Sequence, residues 1–163
     1  MNIFKKLIRN FYENKLDRIK IISQLRRYHE KKYISMELLS MLLGVFKVQE
    51  TRVKDIMIPR SNMVIIKKNS SISEILPLII KSSHSRFPVI LENKDEVVGI
   101  LLAKDLLKFI NNDTEIFNID EIIRPSVIIP ETKKLNVLLS EFKSGRNHLA
   151  VVVDEYGGVS GLI

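Results

Sequence analysis

The 163-residue sequence contains no cysteine. The protein can therefore form neither a disulfide bridge nor a thiolate metal site, which is compatible with a reducing compartment. Its longest apolar runs, such as residues 97–103 and 149–153, are far shorter than the roughly 20 residues that a membrane-spanning helix requires. We expect no transmembrane segment. Hydrophobic residues nevertheless make up 45% of the chain, which is enough for one ordinary folded domain or two small ones.

Motifs for catalysis and for metal binding are also missing. The chain has no Gly-x-Ser-x-Gly turn, no phosphate loop ending in Gly-Lys-Ser/Thr and no His-Glu-x-x-His motif. Its three histidines, His29, His84 and His148, do not have the spacing of metal ligands. The turn carboxylates Asp154 and Glu155 are of a kind that is usually solvated. We predict a protein that is not an enzyme and has no metal site made of protein ligands alone.

The positive charge is concentrated in the first third of the chain. Of the formal net charge of +7, residues 1–50 supply most, with 11 Lys/Arg against 5 Asp/Glu, while residues 51–163 hold 15 against 14. A nucleic-acid-binding protein is expected to carry its basic excess on the folded domain, so we expect no nucleic-acid partner.

Residues 1–14 have the pattern of a basic amphipathic helix. Five apolar residues would share one helical face opposite Lys5, Lys6 and Arg9, namely Ile3, Phe4, Leu7, Ile8 and Phe11. Such a helix could lie on an anionic membrane surface, or it could be an arm that docks on its own protein. The sequence leaves both interpretations open.

The periodicity between Leu16 and Glu50 is helical. Ser35 is a candidate N-cap, with Glu37 in the first turn of the helix that follows. Five apolar residues then recur at a spacing of three to four, which predicts a core-facing stripe at Leu38, Leu39, Leu42, Leu43 and Phe46. We interpret this region as a helical extension.

After residue 51 the order β-α-β-β-α occurs twice. The first copy predicts strands at 63–66, 87–91 and 97–101 and helices at 72–82 and 103–110; the second predicts strands at 127–129, 149–153 and 159–163 and a helix at 135–142. Superposing the copies places Ile72 on Leu135 and Gly99 on Gly161. Neither copy is long enough to bury a full core alone, so we expect a pseudo-two-fold pair. The second copy stops where the first has its last helix.

These paired units resemble CBS domains, and four strings in them resemble the CorC/HlyC family, bacterial proteins linked to magnesium and cobalt efflux. The strings are DIMIPRS (residues 55–61), HSRFPV (84–89), GILLAKDLL (99–107) and VDEYGGVSGL (153–162). The resemblance implies an α+β fold, a tandem CBS-domain pair with an N-terminal helical extension at 1–50. The first CBS domain would span 51–112, and the second, truncated one 113–163.

The resemblance also implies an adenine nucleotide, ATP or AMP, with or without Mg²⁺, in the cleft between the copies. The residues that it places there are Ile58, Pro59, His84, Ser85, Arg86, Phe87 and Asp105. A guanidinium can bind phosphate through a planar fork. The alternative is that His84 and Ser85 cap the preceding helix while Arg86 pairs with a carboxylate. Arg60, beside Pro59, is more typical of a solvated charge than of a ligand residue.

Nucleotide-binding CBS copies usually have Gly-apolar-apolar-Ser/Thr-x-x-Asp, whose hydroxyl meets phosphate and whose aspartate accepts from the ribose. In the first copy Gly99 and Asp105 match, but Leu102 occupies the hydroxyl position, and Asp105 could instead cap a helix. The second copy ends before both residues.

We therefore expect a regulatory or accessory protein of magnesium and cobalt efflux. It would be cytoplasmic or peripheral to the inner face of the membrane. Its expected partners are a second copy, bound through the CBS pair, and a membrane ion-transport protein. Two alternatives stay open: a structural or protein-interaction CBS module that no longer binds nucleotide, and a basic membrane-surface or polyanion binder.

Overall fold

The structure is a computed structural model that describes residues 17–110 and 117–163. The chain divides after Glu50 into two compact units, 1–50 and 51–163. The amphipathic segment predicted at 1–14 lies outside the described residues.

From residue 17 onward, the N-terminal unit contains two helices, α1 (residues 17–30) and α2 (Met36–Val48). The predicted cap of α2 is confirmed, because the Ser35 hydroxyl accepts a hydrogen bond from the Leu38 N–H at 3.1 Å. The predicted core-facing stripe is wrong at Leu38, which is exposed, whereas Leu39 is buried. Among the described residues the unit has only two helices with which to cover an apolar face, so the buried face of α2 is narrower than its apolar pattern suggests.

Arg18 joins the two helices of this unit. Its guanidinium donates to the Phe46 carbonyl at 2.8 Å, lies over the Phe46 ring and pairs with Glu50. A cation suits this position because the last carbonyls of α2 carry partial negative charge.

The second unit contains the predicted β-α-β-β-α order once in full and a second time as β-α-β-β. Its elements are β1 (Ile58–Pro59), β2 (Ile66–Lys67), α3 (Ile72–Ser82), β3 (Arg86–Ile90), β4 (Val97–Leu102), α4 (Leu107–Ile110), β5 (Val127–Pro130), α5 (Leu135–Gly145), β6 (Ala150–Val153) and β7 (Val159–Leu162). Besides shifts of one to three residues at other element ends, two elements differ from expectation. The strand predicted at 63–66 lies at β2, and the helix predicted at 103–110 opens with a 3₁₀ turn, Ala103–Leu106, before α4.

The two repeats have the same sheet topology. In the first, β2 pairs in parallel with β3, and β3 pairs antiparallel with β4. In the second, β5, β6 and β7 pair in the same two ways. Val89 and Val152 therefore occupy equivalent middle strands.

Each repeat also contributes backbone to the sheet of the other. Strand β1, which precedes the first repeat's sheet, pairs antiparallel with β7 of the second, with Ile58 opposite Leu162. Conversely, Arg124, which precedes β5, exchanges two main-chain hydrogen bonds with Ile100 in β4, at 2.8 and 2.9 Å. This exchange was not predicted as strand pairing, and it ties the repeats together at two related points.

The core confirms that the repeats pack as a pair. Alternate residues of β4 and β6 point in opposite directions: Leu101 and Val152 are buried within their own repeats, while Ile100 and Val151 are buried in a shared cluster. That cluster, which we call the seam, consists of Met63, Ile100, Leu102, Val151, Val159 and Leu162.

Candidate functional site

Two cavities border the seam on the second unit. The Ile58 cavity, of about 230 Å³, is lined by Ile58, Asn62, Met63, Val64, His84, Ser85, Arg86, His148, Leu149 and Leu162. The Arg124 cavity, of about 110 Å³, is lined by Arg86, Ile100, Leu102, Arg124, Pro125, Val127, Arg146, Asn147, His148 and Leu149. Three of these residues line both cavities, so we describe the cavities as two halves of one cleft between the repeats.

Equivalent helix ends position the polar residues of the cleft. Helices α3 and α5 each end at a residue with left-handed backbone, Ser83 (φ 56°) and Arg146 (φ 51°), whose N–H groups bond to the Ile79 and Phe142 carbonyls. A left-handed residue closes a helix and turns the chain away from the helix axis. Here each turn leads within four residues into the middle strand of its repeat, so both turns face the seam.

Four of the predicted site residues line the Ile58 cavity. Ile58 forms an apolar wall from β1, His84 and Ser85 come from the turn after α3, and Arg86 is the first residue of β3. His84 and Ser85 are exposed, and Arg86 is half-buried and also reaches the Arg124 cavity. These side chains are free to meet a ligand.

The other three predicted residues lie elsewhere. Pro59 is in β1 but lines neither cavity. The Phe87 side chain is fully buried in the core of the first repeat. The Asp105 carboxylate accepts from the Arg124 guanidinium at 3.0 Å, outside both cavities. A ligand role for any of the seven residues stays a prediction.

The second half of the cleft was missed by the sequence interpretation. Arg124, Arg146, Asn147 and His148 line it and were not among the predicted residues. The signal that could have found the last three was the repeat itself. The 63-residue offset that carries Ile72 to Leu135 also carries residues 83–86 to 146–149.

Three arginines line the Arg124 cavity. Arg86, Arg124 and Arg146 all line it together with His148, and none of its described lining residues is acidic. Guanidiniums bind phosphate through paired charge-assisted hydrogen bonds, so the cavity suits an anionic ligand. The fit to the usual CBS nucleotide pattern is incomplete, because Leu102 at the hydroxyl position is buried in the seam.

An ion pair stabilises the end of the seam that carries the β3–β4 turn. Asp95, in the turn between β3 and β4, pairs with Arg60 and accepts from the Val159 N–H at 2.9 Å. These two donors hold the pKa of Asp95 below its usual range, and the pairing raises the pKa of Arg60. Arg60 keeps 40% of its side chain exposed to solvent and, beyond the sequence interpretation, also joins the repeats by pairing with Asp95 and donating to the Val159 carbonyl.

Within residues 17–110 and 117–163, no helix has the length and apolarity needed to span a membrane. In the same residues, no three His, Asp or Glu side chains are grouped as metal ligands would be.

Comparison with known proteins places the chain in a family. The CBS domain family matches residues 53–112. The magnesium and cobalt efflux protein CorC of Salmonella typhimurium is 45% identical over 153 residues, which cover 94% of this chain and 52% of that protein. The chain thus spans about half the length of the curated relatives that it matches.

Solved structures agree with this placement. A conserved domain of unknown function from Neisseria meningitidis superposes with a TM-score of 0.82 at 47% identity, over 88% of this chain and 93% of that one. The CBS domain of a bacterial CNNM/CorC family Mg²⁺ transporter, solved in complex with ATP, superposes with a TM-score of 0.70 at 35% identity, over 76% of this chain and 87% of that one. The chain therefore belongs to the CorC family and has the fold of its CBS domains.

Proposed function

We propose that this chain is the regulatory CBS pair of a magnesium and cobalt efflux protein and that it senses an adenine nucleotide in the cleft between its repeats. The nucleotide would be ATP or AMP, with or without Mg²⁺. The observation that carries the proposal is that Arg86, Arg124 and Arg146 all line one cavity that has no acidic residue among its described lining residues. The proposed role requires no catalysis, and its proposed place is the cytoplasm or the inner face of the membrane.

The proposed site uses side chains from both repeats. His84 offers a ring on which a base could stack, Ser85 a hydroxyl and Arg86 a phosphate-binding fork, while Arg146 and His148 face them from the second repeat. Ile58 would form the wall beside the base, and Pro59 would follow it in β1 without lining the cavity. Phe87 would support the site from the core, and Asp105 from beyond Arg124.

The proposed mechanism is a change in how the repeats pack. A ligand shifts an equilibrium between two arrangements only by its difference in affinity for them. A nucleotide that contacts Arg86 of the first repeat and Arg146 of the second would bind best where those guanidiniums converge. It would thereby stabilise that arrangement, and a membrane ion-transport partner or a second copy of the chain would respond to it.

A second candidate function is supported by two observations. Leu102 fills the hydroxyl position with a buried side chain, and Asp105, the usual ribose acceptor, is already paired with Arg124. Both favour a structural or protein-interaction CBS module that no longer binds nucleotide.

Calorimetric titration with ATP and with AMP, each with and without Mg²⁺, separates the two functions. We expect saturable heat from the unmodified chain and at least about tenfold weaker binding for Arg86→Gln, because charged hydrogen bonds to phosphate are lost. Arg27→Gln is the matched control, since it removes an exposed guanidinium from α1 and should leave affinity unchanged. If no ligand releases heat at millimolar concentration, the chain is a structural module.

Light scattering tests the proposed self-association. We expect the measured mass to exceed that of one 18.9 kDa chain and to change when a binding nucleotide is added. A monomer under both conditions would contradict this part of the proposal.

A further inference from the structure

We propose that Asp105 is an internal counter-ion for Arg124, which a phosphate of the ligand replaces, and that this exchange makes the cleft prefer a polyphosphate to a monophosphate. The inference rests on the proposed nucleotide function and concerns the regulation of that same site.

Arg124 stands at the boundary between two spaces. On one side it lines the Arg124 cavity with Arg86 and Arg146. On the other it lines a surface groove with Lys104, Asp105 and Glu121, where its guanidinium meets the Asp105 carboxylate at 3.0 Å. The same side chain can therefore serve either a ligand in the cavity or the carboxylate in the groove.

The backbone of Arg124 is held in place. Its N–H and carbonyl both bond to Ile100. The close contact depends on Gly99, since a Cβ there would lie 2.8 Å from the Arg124 carbonyl oxygen. Any exchange of partner must therefore come from rotation of the long side chain, which needs no loop movement.

The ion pair is weak enough for a ligand to displace. The Arg124 side chain is 54% exposed and that of Asp105 is 23% exposed, and ion pairs with such access to water contribute little stability because solvent screens them. A terminal phosphate group carries about −1.5 to −2 charge near pH 7 against −1 for a carboxylate, and its oxygens can accept two guanidinium hydrogen bonds. Replacing the Asp105 carboxylate by a phosphate as the partner of Arg124 should thus lower the free energy.

The number of available guanidiniums decides the ligand class. Within the described residues, no carboxylate pairs with Arg86 or Arg146, so these two can bind a single phosphate without disturbing Arg124. A polyphosphate chain has further anionic groups that can engage the third guanidinium. We therefore infer that Arg124 contributes to binding of ATP and little to binding of AMP.

The test is a set of titrations with ATP and AMP on the full chain and on Arg124→Gln, Asp105→Asn and the double variant. We expect Arg124→Gln to weaken ATP about tenfold and AMP less than twofold. Asp105→Asn should tighten ATP about two- to fivefold, since a competing ion pair of modest strength is removed. The double variant should bind ATP no more tightly than Arg124→Gln does, because it has no Arg124 guanidinium that removal of the Asp105 carboxylate could free.

Glu121→Gln is the matched control, because it removes a carboxylate from the same groove that is not paired with Arg124. Thermal melts verify that all variants fold. If Arg124→Gln does not fold, Arg124→Lys replaces it in the titrations. Weaker ATP binding by Asp105→Asn would overturn the inference and indicate a ribose acceptor. An equal gain from Glu121→Gln, or an equal loss of ATP and AMP in Arg124→Gln, would also overturn it. An unmodified chain that binds neither nucleotide would refute the proposed function itself.

Discussion

Gly161 and Gly99 stand where the backbone of one repeat meets a strand of the other. A Cβ at Gly161 would lie 2.2 Å from the Ile58 carbonyl oxygen, and one at Gly99 would lie 2.8 Å from that of Arg124. The nearest atoms are main-chain oxygens that are held by strand pairing, so they cannot move aside as a flexible side chain could. Single residues thus decide whether the strand exchange between the repeats can form.

Gly161→Ala should lower the free energy of unfolding of the second unit by about 1–3 kcal/mol, the range for overpacking at a site that cannot relax. Gly44→Ala is the matched control. Gly44 lies within α2 with no atom within 4 Å of an added Cβ, and there alanine should add about 0.5–1 kcal/mol through its higher helix propensity. Urea denaturation followed by circular dichroism measures both, and a neutral Gly161→Ala would contradict the close approach.

At the scale of elements, the ends of α3 and α5 have the same backbone geometry, but only one of the two cap residues lines the cleft. Ser83 and Arg146 both take left-handed backbone without being glycine, a conformation that costs an L-residue roughly 1–2 kcal/mol. Ser83 lines neither cavity, whereas Arg146 lines the Arg124 cavity. The strain at Arg146 accompanies a guanidinium that faces the cleft.

Glycine at these two caps should separate stability from binding. Ser83→Gly and Arg146→Gly should each raise the free energy of unfolding by about 1 kcal/mol, because glycine adopts the left-handed region without a steric penalty. Only Arg146→Gly should also weaken ATP binding, by about tenfold. Thermal melts and calorimetry measure the two effects. Equal loss of binding in both variants would show that the turn geometry, rather than the guanidinium, matters.

At the scale of the whole molecule, Asp95 connects three segments that are distant in sequence. It pairs with Arg60 after β1 and accepts from Val159 in β7, while its neighbour Lys94 donates to the Arg60 carbonyl at 2.8 Å. These contacts close the seam at the end that carries the β3–β4 turn. The stability of the paired repeats therefore depends in part on an ionised carboxylate.

This dependence predicts the effect of acid. Because folding lowers the pKa of Asp95, its contribution is fully present above the ordinary aspartate value of about 3.9 and is lost as pH falls through the lower value of the folded state. Asp95→Asn should thus melt at a lower temperature than the unmodified chain at pH 7. The two melting temperatures should converge only when pH falls below the lowered pKa of the folded Asp95 side chain, where both side chains are neutral.

Glu92→Gln is the control for the same turn, since Glu92 pairs with neither Arg60 nor Val159. It should follow the unmodified chain across the pH range. A constant gap between the unmodified chain and Asp95→Asn from pH 7 to pH 3 would show that Asp95 does not act through its charge.

The sequence by itself determined the helix before residue 51 and the repeated β-α-β-β order, because each of these is a pattern over neighbouring residues. It also led to His84 and Arg86, through short strings of the family. The tertiary structure alone decided the rest. Strand β1 is two residues long and pairs with a strand about a hundred residues further on in the sequence, so no local pattern could predict this pairing. Arg124 and Arg146 become neighbours of Arg86 only when the repeats pack together, since charged side chains carry no periodic signal of where they will meet.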